Sequence, residues 1–189
     1  ADTIKPTAKR AISELKLMGI EAVMITGDHI KVAEVVGGEL GIEKYHAEVL
    51  PQDKAGHVKR LQDEGKFVAM VGDGINDAPA LAQSNIGIAI GAGTDVAKET
   101  GNIVLMKSDP LDIVAAIRLS KATVRKMKQN LFWAAIYNVL AIPVAAGVFY
   151  NSFGWQLRPE ISALLMSVSS IIVATNAVLL KRIEPKLKT

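Results

Sequence analysis

VGDGINDAPAL, residues 71–81, follows an apolar run, Phe67-Val68-Ala69-Met70-Val71, that stops at two carboxylates, Asp73 and Asp77. Gly72, Gly74 and Asn76 stand around them. A short apolar run bounded by glycines reads as a buried strand. Its end then carries two carboxylates and an amide on a glycine-rich turn, with a helix starting near Asn76. Carboxylates four apart at a strand end are hard oxygen ligands. Mg²⁺ takes one or two such groups while keeping waters and a phosphate oxygen. Gly72 and Gly74 let backbone approach a ligand closely. A lone Asp-Gly reads as a turn or a cap; the full run after a buried strand reads as a site.

The residues on either side continue an alternation of strands and helices. Pro6 to Met18 has helical spacing, with Thr3 or Pro6 placed to start it and Gly19 to stop it. EAVMITGD, residues 21–28, is a short buried strand ending at Gly27-Asp28. His29 to Leu40 is helical, Tyr45 to Val49 a weak strand, and Pro51 to Glu64 an amphipathic helix closed by Gly65. KFVAMVGDG (66–74), NIGIAIG (85–91) and NIVLM (102–106) are further strands, with a short helix near Thr94 to Thr100. This order predicts an α/β fold, a Rossmann-like parallel sheet with helices on both faces. Ligands of such sheets bind at the carboxyl ends of the strands, where both Thr26-Gly27-Asp28 and Gly72-Asp73-Gly74 fall.

Thr26 offers a hydroxyl and Gly27 a free backbone N–H, a clasp for phosphate; taken alone, Thr-Gly-Asp is also a common turn. Lys54 falls on the first turn of a helix, where a cation opposes the helix dipole. A phosphoryl group nearby explains that placement; a solvated surface lysine is the plain alternative.

The chain changes character near residue 131. Residues 131–180 hold only Arg158 and Glu160 as charged side chains. Leu131 to Tyr150 is twenty residues without a formal charge, and a helix of that length spans roughly 30 Å, the hydrocarbon thickness of a bilayer. Ile161 to Leu180 is a second such stretch. An all-α transmembrane hairpin is therefore expected after the α/β part, with a stalk helix starting at Asp109-Pro110. Arg118, Lys121, Arg125, Lys126 and Lys128 precede the first stretch. Lys181, Arg182, Lys186 and Lys188 follow the second. This bias places both ends in the cytoplasm, with Trp133 and Trp155 near the two interfaces. The basic residues sit beside apolar segments, which favours a membrane surface over nucleic acid. There is no cysteine, so thiolate metal sites within the chain are excluded.

Tyr137 and Asn138 are the adjacent polar residues of the first apolar stretch. Met166, Ser169 and Ser170 share one face of the second, with Asn176 near it. Ser and Asn in membrane helices often only join helices. A thioether with hydroxyl and amide oxygens suits soft Cu(I) or Ag(I), and the absence of intramembrane carboxylates argues against Zn, Ca or Mg as cargo.

Thr26-Gly27-Asp28, Pro51-Gln52-Asp53-Lys54 and GDGINDAP (72–79) stand in this order, with DTIKP (2–6) ahead of them. Together they resemble the phosphorylation domain of P-type ATPases, members of the haloacid dehalogenase superfamily. The resemblance implies that Asp73 holds Mg²⁺, supported by Asn76 and Asp77. It implies that Thr26, Gly27 and Lys54 bind the phosphoryl group of ATP. Asp28 joins the catalytic set, and Gly72 and Gly74 join the cofactor-binding one. Tyr-Asn at 137–138 and Met-Ser-Val-Ser-Ser at 166–170 are similar to the last two membrane helices of copper-transporting members. On that likeness Tyr137, Asn138, Met166, Ser169 and Ser170 meet copper(I), with silver(I) or copper(II) as alternative cargo.

The implied layout is the later part of the phosphorylation domain (1–118), a cytosolic stalk (119–130), a transmembrane helix (131–150), an extracytoplasmic loop (151–160), a second transmembrane helix (161–180) and a cytosolic tail (181–189). The implied setting is a cell membrane crossed several times. The implied partners are the actuator and nucleotide domains and other membrane helices of the same pump, the lipid bilayer and a copper chaperone, with no nucleic acid. The family's nucleophilic Asp-Lys-Thr-Gly-Thr motif does not occur in these 189 residues, so the chain alone is expected to be inactive. Two further classes remain open. A membrane-tethered phosphatase of the same superfamily would need its own nucleophile, and Asp28 lacks the Asp-x-Asp/Thr setting. A truncated product binding metal or a partner pump would need none.

Overall fold

The computed structural model describes residues 4–73, 76–91, 101–154 and 158–179. The chain divides into two compact units, Ala1–Ala115 and Ala116–Thr189.

The first unit alternates helices and strands in the expected order: α1 (Ala8–Leu17), β1 (Val23–Ile25), α2 (Ile30–Leu40), β2 (Lys44–His46), α3 (Lys54–Asp63), β3 (Ala69–Gly72), α4 (Ala78–Gln83), β4 (Ile86–Ile90) and β5 (Ile103–Leu105). A 3₁₀ turn, Pro51–Asp53, leads into α3. The short helix expected near Thr94 to Thr100 lies outside the described residues. All strand pairs are parallel, as the alternation requires, but they form two ladders rather than one sheet. β1 pairs with β2, and β3, β4 and β5 form a three-stranded sheet in that order. The single sheet of the sequence reading is corrected on this point: each three- to five-residue strand hydrogen-bonds only within its own ladder among the described residues.

The weak strand expected over Tyr45–Val49 is shorter and earlier. Its register against β1, Val23 opposite Lys44 and Ile25 opposite His46, ends where β1 ends. Glu48 then takes a left-handed backbone, φ 56°, which no strand continues through. Helix α1 also starts later than expected. Thr7 occupies its N-cap position without capping it, because its hydroxyl donates to Asp109 Oδ1 at 2.7 Å. That same oxygen accepts from Leu111 N–H at 3.0 Å. Asp109 thus caps the long helix that begins at Pro110 and fastens the start of α1 to it.

The core of this unit is small side chains with a few large ones. Ala33, Ala80 and Ala89 are buried, and Leu81, Val58 and Val114 are the largest side chains wholly removed from solvent. Full burial of a Leu or Val side chain contributes about 1.5–3 kcal/mol. Leu81 and Val58 come from α4 and α3, so the helix that starts at Lys54 and the helix that follows the Gly72 strand end are held by the same core.

The second unit is helical. Helix α5 runs unbroken over Pro110–Ala145, crossing into it from the first; α6 is Tyr150–Phe153 and α7 is Pro159–Val178. The expected helix from Leu131 to Tyr150 therefore ends early. Gly147 adopts φ 77°, its N–H donates to Val144 O, and Val148 N–H donates to Pro143 O, both at 3.1 Å. These two bonds and the left-handed residue make a Schellman stop, which glycine at 147 permits. Among the described residues no helix is long and apolar enough to cross a membrane. Leu180 and the basic tail after it lie outside them, as does Trp155.

Candidate active site

Gly72, the last residue of β3, is buried, and Asp77 lies directly over it. A Cβ built at Gly72 would stand 2.4 Å from Asp77 Oδ2 and 2.6 Å from Asp77 Cβ. No side chain fits there, so the glycine is required by the close approach of that carboxylate. Asp77 occupies the N-cap position of α4 but makes no side-chain cap bond. Its backbone carbonyl starts the helix, accepting from Leu81 N–H at 2.8 Å, which leaves its carboxylate for another task.

That task is Lys54. The Lys54 ammonium donates to Asp77 Oδ1 at 2.6 Å, with side chains only 15% and 13% exposed. Lys54 is the first residue of α3, the position where a cation opposes the helix dipole, and the carboxylate from α4 compensates it. Desolvation costs a largely buried pair of this kind free energy, which the short contact offsets; removing one partner strands the other. The sequence reading assigned Lys54 to a phosphoryl group and Asp77 to a metal separately. The structure brings the two together.

The Thr26 turn is built beside the approach to Lys54. Thr26 Oγ1 donates to Asp28 Oδ2 at 2.8 Å and accepts from Asp28 N–H at 3.1 Å. Thr26 N–H donates to His46 O, and Val49 N–H donates to Thr26 O at 3.0 Å. The residues after Val49 lead through the 3₁₀ turn to Lys54. Asp73 and Asn76 are exposed at the end of β3 and the start of α4, and Gly74 lies outside the described residues.

Two residues of this region were missed from sequence. Glu48 N–H donates to Asp28 O at 2.9 Å, and its carboxylate meets His29 Nε2 at 3.4 Å. His29 caps α2 by accepting from Lys31 N–H on Nδ1. The pair clasps the Thr26–Asp28 turn from the outside. A left-handed glutamate gives no sequence signal, although His29 follows Asp28 directly. The His46 and His57 rings lie 4.5 Å apart, between β2 and α3. Burial, then Arg60 and His46, push the His57 pKa below its ordinary value, against the pull of Asp53.

In the helical unit, two of the five expected metal-facing residues bond to their own helices. Asn138 Nδ2 donates to Ala134 O at 2.9 Å, and Ser170 Oγ donates to Met166 O at 3.1 Å. Both bonds occupy hydrogens and leave the side-chain oxygens as acceptors. Met166 is 60% exposed and Ser169 half-buried; the side chain of Tyr137 lies outside the description.

A parallel α/β unit with a Gly-Asp strand end and a lysine held by the following helix's aspartate is a haloacid dehalogenase-like domain. The family model for haloacid dehalogenase-like hydrolases matches residues 1–85. The chain is 55% identical over 177 residues to a copper-exporting P-type ATPase of Vibrio cholerae, covering 94% of this chain and 19% of that protein. It is 57% identical over 182 residues to copper-exporting P-type ATPase B of Archaeoglobus fulgidus, covering 96% and 26%. Among solved structures, a zinc-transporting PIB-type ATPase in its E2.Pi state superposes with TM-score 0.80 at 36% identity, over 95% of this chain and 28% of that one. The chain belongs to the P-type ATPase family and is similar to its copper-exporting members. It spans about a fifth to a quarter of the length of those curated relatives.

Proposed function

We propose that this chain is part of an ATP-driven copper(I) export pump, supplying phosphate-site residues and two metal-bearing helices. The Lys54–Asp77 pair, seated over Gly72 at a strand end, carries the reading. It puts a cation and a carboxylate, over a buried glycine, at a strand end, where ligands dock in parallel α/β folds. Phosphoryl transfer depends mainly on positioning and charge stabilisation. Lys54 and the Thr26–Gly27 turn hold the transferred group, with Asp28 fixing the Thr26 hydroxyl. The acceptor aspartate and the nucleotide domain come from the rest of the pump.

The donor set fits Mg²⁺. Asp73 is an exposed carboxylate at the strand end, and Asp77, already compensated by Lys54, supports rather than binds, with Asn76 beside it. When bound, the ion neutralises charge on the phosphoryl oxygens.

Copper is the cargo favoured here. The solved neighbour is described as zinc-transporting, but residues 131–180 of this chain offer no carboxylate except Glu160 at the start of α7. Met166 supplies a thioether; Ser169, Ser170, Asn138 and Tyr137 supply oxygens. Silver(I) or copper(II) is the second reading on the same donors. The two apolar stretches are assigned to the bilayer, both ends cytoplasmic. The support is their surface: Leu131, Val139, Leu140, Leu164 and Ile171 are each more than 60% exposed, more apolar surface than a water-facing helix carries.

Asp73→Ala in the complete pump tests the reading. Phosphoenzyme formation from ATP is expected to vanish, and a normal level would sink it. Met166→Leu tests the cargo, since it keeps volume and removes sulfur. Cu(I) affinity should fall; parental affinity would leave Met166 as packing.

A further inference from the structure

Asn176 stands two residues before the end of α7 and is the one amide side chain in that helix. It is half-buried and uses both ends of its amide. Its Oδ1 accepts from the Lys126 ammonium at 2.6 Å. Its Nδ2 donates to Asn130 Oδ1, also at 2.6 Å. Lys126 and Asn130 are one turn apart on α5, so the two bonds grip α7 from successive turns of its neighbour. One hydrogen bond between helices allows sliding and rotation about it. Two bonds from adjacent turns to the two ends of one planar amide fix axial register.

The register matters because of what lies beyond the grip. The chain reverses between α5 and α7, so residues after Asn130 and residues before Asn176 lie on the same side of it. Asn138 is eight residues past Asn130, about 12 Å along the axis. Ser170, Ser169 and Met166 are six, seven and ten residues before Asn176, about 9, 10 and 15 Å away. The oxygen of Asn138 therefore falls level with the interval from Ser169 to Met166. A slip of one turn, about 5.4 Å, would take it out of that interval.

We propose that Asn176 is a positioning residue: through Lys126 and Asn130 it sets the register of α5 and α7 so that Asn138 meets Met166, Ser169 and Ser170 at one copper(I) site. The proposal rests on the copper reading above. Asn176 itself touches no metal; its amide is fully engaged by α5. The Lys126 charge strengthens one of the two bonds, and removing Asn176 takes a partner from two half-buried side chains at once.

The test is Cu(I) affinity of the complete pump in lipid, measured by competition with a chelator, beside phosphoenzyme formation from inorganic phosphate. Asn176→Ala and Lys126→Met should each weaken Cu(I) binding by about three- to ten-fold, the range for polar contacts between membrane helices. Phosphorylation by inorganic phosphate should stay at the parental level in both. Asn176→Asp should restore affinity to within about two-fold, because its carboxylate accepts from Lys126 and from a turned Asn130 amide. Parental affinity in Asn176→Ala overturns the proposal. So does an equal loss of Cu(I) binding and phosphorylation, which marks a general packing role. If Met166→Leu loses affinity while Asn176→Ala does not, the register idea fails and the copper site stands. If neither variant loses affinity, the copper assignment falls and the register idea with it. Should Asn176→Ala fail to accumulate, Lys126→Met and Asn176→Asp decide: weakened and parental affinity respectively support the proposal, and parental affinity in Lys126→Met overturns it.

Discussion

The α/β unit and the helical unit solve opposite problems. In the first, Leu81, Val58 and Val114 are wholly buried, and a charged pair is shielded inside the fold. In the second, Leu164, Ile171 and Val139 face outward, and the strong bonds between helices are polar, through Asn176. Burying apolar area drives folding in water. Between helices in lipid that drive is absent, and packing and hydrogen bonds take over. One unit carries a buried apolar interior; the other leaves large apolar side chains exposed along its helices.

The largest expected effect tests how rigid the first unit is. Gly72→Val places side-chain atoms where Asp77 stands, dislodging the carboxylate that holds Lys54. Phosphoenzyme formation in the complete pump should fall about a hundred- to a thousand-fold. A normal level would mean that the strand end yields, and that its shielding is less strict than the contacts imply.

Next comes paired truncation. Leu81→Ala should destabilise the α/β unit by about 2–4 kcal/mol, read by urea unfolding. Leu164→Ala, at a site 65% exposed, should change the same curve by less than about 0.5 kcal/mol. Equal losses would erase the distinction between the units.

Hydrogen exchange sharpens it further. Amides of α7 should gain protection on transfer from buffer to lipid nanodiscs, while amides of β3 and β4 exchange at the same rate in both. Protection of α7 in buffer equal to that in lipid would show that the helical unit completes itself.

The smallest effect is a pH slope confined to the first unit. The folded-state pKa of His57 is lowered, chiefly by burial. The unfolded chain therefore binds the proton more readily, and stability falls as pH drops through the unfolded histidine range toward the folded value. His57→Gln should flatten the urea midpoint between pH 7 and pH 5. An unchanged slope would assign it to other groups.

Much of the first unit was legible because its signals are local. Phe67 to Val71, closed by Gly72, announces a strand, although the ladder takes up only Ala69–Gly72 and Phe67 is exposed rather than buried; Lys54 at a helix start announces an unusual neighbour. What stayed hidden was pairing. Nothing in the order of residues says that Lys54 meets Asp77, 23 positions away, or that β1 and β3 fall in separate ladders. Sequence also set the wrong end for the first apolar helix, since an uncharged run does not reveal the Schellman stop at Gly147. In the second unit Asn176 stood out as an amide in an apolar run, but its partners Lys126 and Asn130 read as ordinary stalk residues. Their role depends on two helices meeting, which no periodicity encodes.

Glu48 carries a separate lesson for anyone reshaping this protein. Its φ of 56° suits glycine, and a left-handed backbone costs any other residue about 1–2 kcal/mol. A search for thermostable variants would favour Glu48→Gly and be rewarded for it. Such a variant would lack the carboxylate that reaches His29 across the Thr26–Asp28 turn. The gain from such a variant is then offset only by the loss of an exposed His29–Glu48 contact, which contributes little at a surface.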